Sequence, residues 1–134
     1  MKAIADTGFL VAFANKRDRY HDWAAALARA VDEPLLTCEA VLSEATFQLR
    51  SASVVLAMVQ DGLVTLAFDA KKHLKELVSL AHRYADRDAD FADLCLVRMS
   101  ELHPKHSVIT VDATDFNIYR RNGRDVIPLI VPPR

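Results

Sequence analysis

Short apolar runs alternate with longer, helically spaced ones along the whole chain. Ala3-Ile4-Ala5 is an apolar run too short for a helix, and it reads as a strand closed by Asp6. Thr7 to Asn15 (TGFLVAFAN) is apolar over a helical length, and Lys16-Arg17-Asp18-Arg19 is a polar break. Tyr20 to Asp32 sets Trp23, Ala26, Leu27, Ala30 and Val31 on one helical face. Pro34 to Thr37 gives a second strand, and Cys38 to Arg50 a helix with Thr37 as its N-cap. Ser51 or Ser53 opens a further helix to Asp61, which Gly62 ends. Leu63 to Phe68 (LVTLAF) predicts a strand, and Asp69 caps a long helix through Tyr84. Ala89 to Leu102 predicts another helix, stopped by His103-Pro104, followed by the strand Ser107 to Val111 (SVITV). A short helix over Phe116 to Arg121 and a last strand over Val126 to Leu129 complete the pattern.

Short apolar strands separated by helices imply an α/β fold: a short parallel sheet flanked by helices in three layers. With 134 residues, three glycines and five prolines, the chain has the size of one domain, 1–134, and no flexible linker. No apolar run approaches the roughly 20 residues of a membrane span. The start Met1-Lys2-Ala3-Ile4-Ala5-Asp6 lacks the long apolar core of a signal peptide. Cys38 and Cys95 stand apart from each other and from any zinc-spaced histidine, so two buried, reduced thiols in a cytoplasmic protein are expected.

In a parallel sheet, ligands bind beyond the carboxyl ends of the strands, where the strand order reverses. Asp6 and Asp112 each close a strand and belong at that edge. Either one also fits an Asx-turn or a helix N-cap. Two further acids sit in helices apolar on most faces: Glu44 within AVLSEATFQL and Asp93 within FADLCLVRM. A carboxylate in a buried helix is costly unless something positive compensates or it reaches water at the helix edge. Arg98, five residues from Asp93, lies on a different helix face. Converging at one edge, the four acids would repel strongly, and a divalent cation would relieve that repulsion. All-oxygen ligands favour Mg²⁺ or Mn²⁺ over zinc. Thr7 and Thr110 adjoin the strand-end acids, and either hydroxyl can orient a carboxylate or a metal-bound water; Asp115 adds an acid beside Asp112. Asp90 shares a helix face with Asp93, and it also fits an acid-rich helix start with Asp86 and Asp88.

These segments resemble the PIN-domain family, and in particular the VapC-type toxins of bacterial toxin–antitoxin pairs. The resemblance runs through Ala5-Asp6-Thr7-Gly8-Phe9-Leu10, Leu36-Thr37 to Ser43-Glu44, Tyr84-Ala85-Asp86 to Asp90-Phe91-Ala92-Asp93, and the T-x-D-x-x-D-F run Thr110 to Phe116. Leu94 departs from it, since many relatives have Ala after the third acid. The resemblance implies a metal-dependent endoribonuclease that hydrolyses RNA with no side-chain nucleophile. It implies Asp6, Glu44, Asp93 and Asp112 as catalytic and Mg²⁺- or Mn²⁺-binding acids. Asp115, Asp90, Thr7 and Thr110 would be auxiliary. It also implies a cognate antitoxin protein as inhibitor, and a homodimer.

Lys plus Arg number 17 and Asp plus Glu 18, a formal charge of −1, so the chain is no uniformly basic nucleic-acid binder. Its cations are sorted instead: Lys16, Arg17 and Arg19 in one loop, Arg120, Arg121 and Arg124 near the C-terminus. Both groups follow strand-end acids and are candidates for RNA phosphates, with Tyr119 a candidate to stack on a base. The bland alternative is solvated loop charge. His21, at a helix start, reads as a capping or packing residue, and His73, His82, His103 and His106 read as surface residues. Trp23, Phe47, Phe68 and Phe91 are expected in the core or at an interface, and the apolar run Val54 to Val59 as core or a partner groove. A haloacid-dehalogenase-type phosphatase would need a second Asp two residues after Asp6, where Gly8 stands. A receiver domain would need a Lys where the strand SVITV ends in Asp112. The remaining alternative is a catalytically silent PIN-like module that binds RNA or protein.

Overall fold

The protein is described by a computed structural model covering residues 1–133. The elements follow in the order β1 (Ala3–Ala5), α1 (Thr7–Ala14), α2 (His21–Arg29), β2 (Leu35–Thr37), α3 (Glu39–Leu49), α4 (Ala52–Gln60) and β3 (Val64–Leu66). After them come α5 (Leu74–Arg83), α6 (Phe91–Leu102), β4 (Ser107–Ile109), α7 (Ala113–Phe116), β5 (Arg120–Arg121), β6 (Asp125–Val126) and β7 (Leu129–Ile130).

Five strands form one sheet in the order β3-β2-β1-β4-β7, and every pairing in it is parallel. β1 is central, with Ile4 opposite Leu36 on one side and Val108 on the other. The chain therefore builds outward through β2 and β3, then returns across β1 to β4. That reversal is the switch point, and it lies between β1 and β4. Ala3, Ile4 and Ala5 are all buried, as a strand covered on both faces must be. The core continues through Phe9 and Leu10 of α1, Val41 and Ala45 of α3, and Leu96, Val97 and Met99 of α6. α6 buries nearly all its sides, consistent with its near-continuous apolar sequence. Gly8 lets α1 start tight against the sheet: a Cβ there would overlap Val111 Cγ2.

Several boundaries differ from the expectation for identifiable reasons. Thr37 caps no helix; it ends β2, where its hydroxyl donates to the Ala5 carbonyl at 3.0 Å, and Cys38 takes the N-cap position. Ser51 rather than Ser53 caps α4, accepting from the Val54 amide at 3.2 Å. Asp69 does act as a cap, but of a 3₁₀ turn, Ala70–His73, and the α-helix begins at Leu74. The largest departure is near the C-terminus. The short helix spans Ala113–Phe116, and Arg120–Arg121 is instead a strand paired antiparallel to Asp125–Val126. Asn122 and Gly123 adopt the left-handed φ values (53° and 79°) that this tight turn needs. The strand that joins the main sheet is therefore Leu129–Ile130, not Val126–Leu129.

Candidate active site

Asp6 leaves β1 at the switch point and is buried, with 7% of its surface exposed. It is also the N-cap of α1: its Oδ1 accepts from the Thr7 amide at 2.6 Å. Its Oδ2 accepts from the Thr110 hydroxyl at 2.7 Å. The same Thr110 oxygen accepts from the Asp112 amide at 2.9 Å. One fully buried threonine thus ties the carboxyl end of β1 to the turn after β4 and fixes both strand-end acids. Thr7 reaches the other way, donating through Oγ1 to Glu44 Oε2 at 3.0 Å. The two threonines are orienting residues, as their positions suggested.

Asp93 faces in from the first turn of α6, where its Oδ2 accepts from the Tyr119 hydroxyl at 2.8 Å. Asp90 is the N-cap of the same helix, its Oδ1 accepting from the Asp93 amide at 2.8 Å. Asp112 caps α7, with Oδ1 accepting from the Asp115 amide at 3.3 Å. The N-cap reading of strand-end and helix-start acids is therefore correct, and it does not compete with a functional one. At Asp90 and Asp112 the cap bond engages Oδ1, whereas Asp6 is bonded at both oxygens.

Burial pushes the carboxyls of Asp6, Glu44, Asp93 and Asp112 above their ordinary range. Asp93 is raised to about 7 despite its bond from Tyr119. The Asp90 charge adds to all four shifts, so Asp90 lies within electrostatic reach of every acid in the set. The sequence left Asp90 between the site and an ordinary helix start; it belongs to both. Asp115 pushes Asp112 upward, so it too faces the group.

Among the described residues, none of these acids forms an ion pair with Lys or Arg. Arg98, the nearest cation in sequence, pairs with Glu76 and Glu101 instead. The same residues contain no ready-made group of three acidic, His or Cys side chains able to hold a metal. The donor set, all carboxylate oxygen and without a protein counter-charge, suits a hard cation that keeps most of its waters.

The expected RNA contacts need correction. Tyr119 is 1% exposed and offers no face for a base to stack on. Its ring packs edge-on between Tyr84 and Phe116, and its function is to hold Asp93. Arg120 turns its guanidinium onto the carbonyls of Asn117, Ile118 and Tyr119. Arg121 donates to the Pro104 carbonyl at 3.0 Å, so both are occupied in fixing the β5–β6 hairpin. Arg19 lies over the Tyr20 ring at 5.2 Å, while Lys16, Arg17 and Arg124 are exposed. His21 fits its packing role, with Nδ1 2.8 Å from the Ala12 carbonyl oxygen. His73 is no plain surface residue: it stacks on Phe68 and accepts from Arg98 Nε at 3.2 Å. Phe47 and Phe91 are not core; they are 84% and 55% exposed, one beside Glu44 and the other next to Asp90 in sequence. Cys38 and Cys95 are free and buried. The chain matches no protein-family model and no curated protein.

Proposed function

We propose that the protein is a metal-dependent endoribonuclease of PIN type, resembling the VapC toxins. The observation that carries this reading is the Asp6–Thr110–Asp112 junction at the switch point, facing Glu44, Asp90 and Asp93 with none of these acids ion-paired among the described residues. Asp6, Glu44, Asp93 and Asp112 would hold Mg²⁺ or Mn²⁺, with Asp90 and Asp115 at the same edge. When bound, such an ion lowers the pKa of water and offsets negative charge developing on the phosphate.

The protein's own contribution is to hold these acids still. Asp6 is fixed at both oxygens, by the Thr7 amide and the Thr110 hydroxyl. Glu44 is held from the Thr7 side chain, and Asp93 from Tyr119. Tyr119 occupies Oδ2 of Asp93, so Oδ1 is the oxygen left to take a proton as pH falls below about 7. Cation binding would displace that proton.

Replacing Asp6 with Ala should lower RNA cleavage in Mn²⁺ by at least about 100-fold, since even outer-shell changes at metal sites cost 10–100-fold. Equal cleavage by wild type and variant would sink the proposal. It would instead favour the second reading, a silent PIN-like module that binds RNA or protein. On the toxin reading the protein acts in the cytoplasm, where its two thiols stay reduced. An antitoxin chain and a second copy are its expected partners. The uncovered apolar side chains Phe47, Val54 and Leu56 on α3 and α4 support such partners.

A further inference from the structure

A cleft of about 730 Å³ opens beside the carboxyl end of β3, outside the acid cluster. Phe68, Lys71, Lys72, His73 and Phe91 line it, with the Cys95 side of α6 as part of the wall. Lys71 and Lys72 are exposed, and neither has a carboxylate partner among the described residues. Two carboxylates also border the cleft. Asp69 is engaged by its own turn, accepting from the Lys71 amide at 3.1 Å, and Glu39 opens α3. The Phe68 and His73 rings stack with centroids 5.2 Å apart and planes 18° from parallel. Phe91, more than half exposed, directly follows the site residue Asp90. α3 presents Glu39 and Ala40 to this cleft and, one turn on, Ser43 and Glu44 to the acid pocket that also contains Asp90. The cleft and the acid pocket are therefore neighbours along a single helix.

Free ammonium groups beside an exposed aromatic ring, here Phe91, match what single-stranded nucleic acid requires: cations for phosphates, a ring for an unpaired base. We infer that this cleft binds single-stranded RNA on its way to the acids, with Lys71 and Lys72 on backbone phosphates and a base stacked on Phe91. The inference rests on the nuclease reading for its direction, and what it adds is the cleft and the residues that line it. It also replaces the sequence expectation for Tyr119, Arg120 and Arg121, which are occupied within the fold.

The test is fluorescence anisotropy of a labelled single-stranded RNA of about 12 nucleotides, in EDTA so that no cleavage intervenes, across a salt series. Wild type should bind it more tightly than a duplex of the same length. The double variant Lys71→Ala, Lys72→Ala should bind about tenfold more weakly, and its log–log salt slope should be shallower by about 1.4, near 0.7 per phosphate contact. Phe91→Ala should weaken binding by about tenfold with the slope unchanged. Lys105→Ala, at the opposite edge of the sheet before β4, should bind as wild type does. Each of these residues is exposed, so the variants should keep the wild-type melting temperature. Wild type that does not bind, that prefers duplex, or that is matched by the Lys71, Lys72 and Phe91 variants overturns the cleft. A Mn²⁺ cleavage assay on the same proteins separates the two ideas. Cleavage by wild type with unchanged binding in the variants removes the cleft and leaves the nuclease. Weakened binding in the variants without any cleavage by wild type removes the nuclease and leaves an RNA-binding cleft.

Discussion

Tyr119 donates its phenolic hydrogen to Asp93 Oδ2 at 2.8 Å from a buried aromatic stack. A hydrogen bond to a charged acceptor contributes about 1.5–3 kcal/mol, which corresponds to about one to two pKa units. Tyr119→Phe keeps the ring and removes only that bond. The Asp93 carboxyl, already raised to about 7, should then titrate at a still higher pH. Carboxyl-carbon NMR on the metal-free protein would show the displacement, and an unmoved midpoint would mean that Tyr119 only packs. The strand-end acids were legible from sequence, because an apolar strand followed by Asp places a carboxylate at the sheet edge whatever the rest of the fold does. Thr7 and Thr110 were legible for the same reason. Tyr119 was not recognised as a buried support, though its signal was present: Phe116 and Tyr119 are three apart and point the same way into the core. Asp90 was ambiguous because capping α6 and facing the other acids need the same position, so sequence alone offers no reason to choose.

At the scale of elements, apolar runs of helical length between polar breaks located α1, α3, α4 and α6 to within a residue or two. The pattern failed after β4. There the run Phe116 to Arg121 reads as helical, yet the adjoining Asn122-Gly123 pair is a hairpin signal, and the hairpin prevails. Periodicity also could not say which apolar residues lack cover. Val55 and Met58 of α4 are core, whereas Val54 and Leu56 on its flanks and Phe47 on α3 are exposed. If a second copy covers them, sedimentation equilibrium at micromolar concentration should return twice the 15.0 kDa chain mass. Phe47→Ser combined with Leu56→Ser should return the monomer with an unchanged circular dichroism spectrum, because neither side chain is in the core. A wild-type protein that sediments as the monomer would overturn the second-copy proposal and leave these side chains to a different protein partner.

Across the whole molecule, the formal charge of −1 conceals a concentration of like charge at one sheet edge. Burial and mutual repulsion raise Asp6, Glu44, Asp93 and Asp112, so the folded state holds protons that the unfolded chain releases at lower pH. The sign comes from linkage: where the folded state binds more protons, stability falls as pH rises. For Asp93 the favourable contribution is complete below its ordinary value of 3.8 and is lost as pH rises through about 7. His106 works in the opposite sense, since burial lowers it from 6.5 and its contribution is lost as pH falls. From about pH 6.5 to 8 Asp93, raised to about 7, outweighs His106, whose unfolded imidazole is at most half protonated there. In EDTA the melting temperature should drop across that window. Mg²⁺ or Mn²⁺ should raise it more at pH 8 than at pH 6.5, because cations bind the ionised acids and compete with their protons. At about 100 times the dissociation constant the ion would add about 2.7 kcal/mol, a shift of several degrees for a domain of this size. A melting temperature in EDTA that is flat or rising over that window, or a cation effect independent of pH, would mean that the acids do not act as one site. If the drop and its reversal by cation are both seen, the loaded protein carries a net charge of +1 to +3, being −1 plus one or two divalent ions. A chain with more acids than bases would then present a positive balance to RNA.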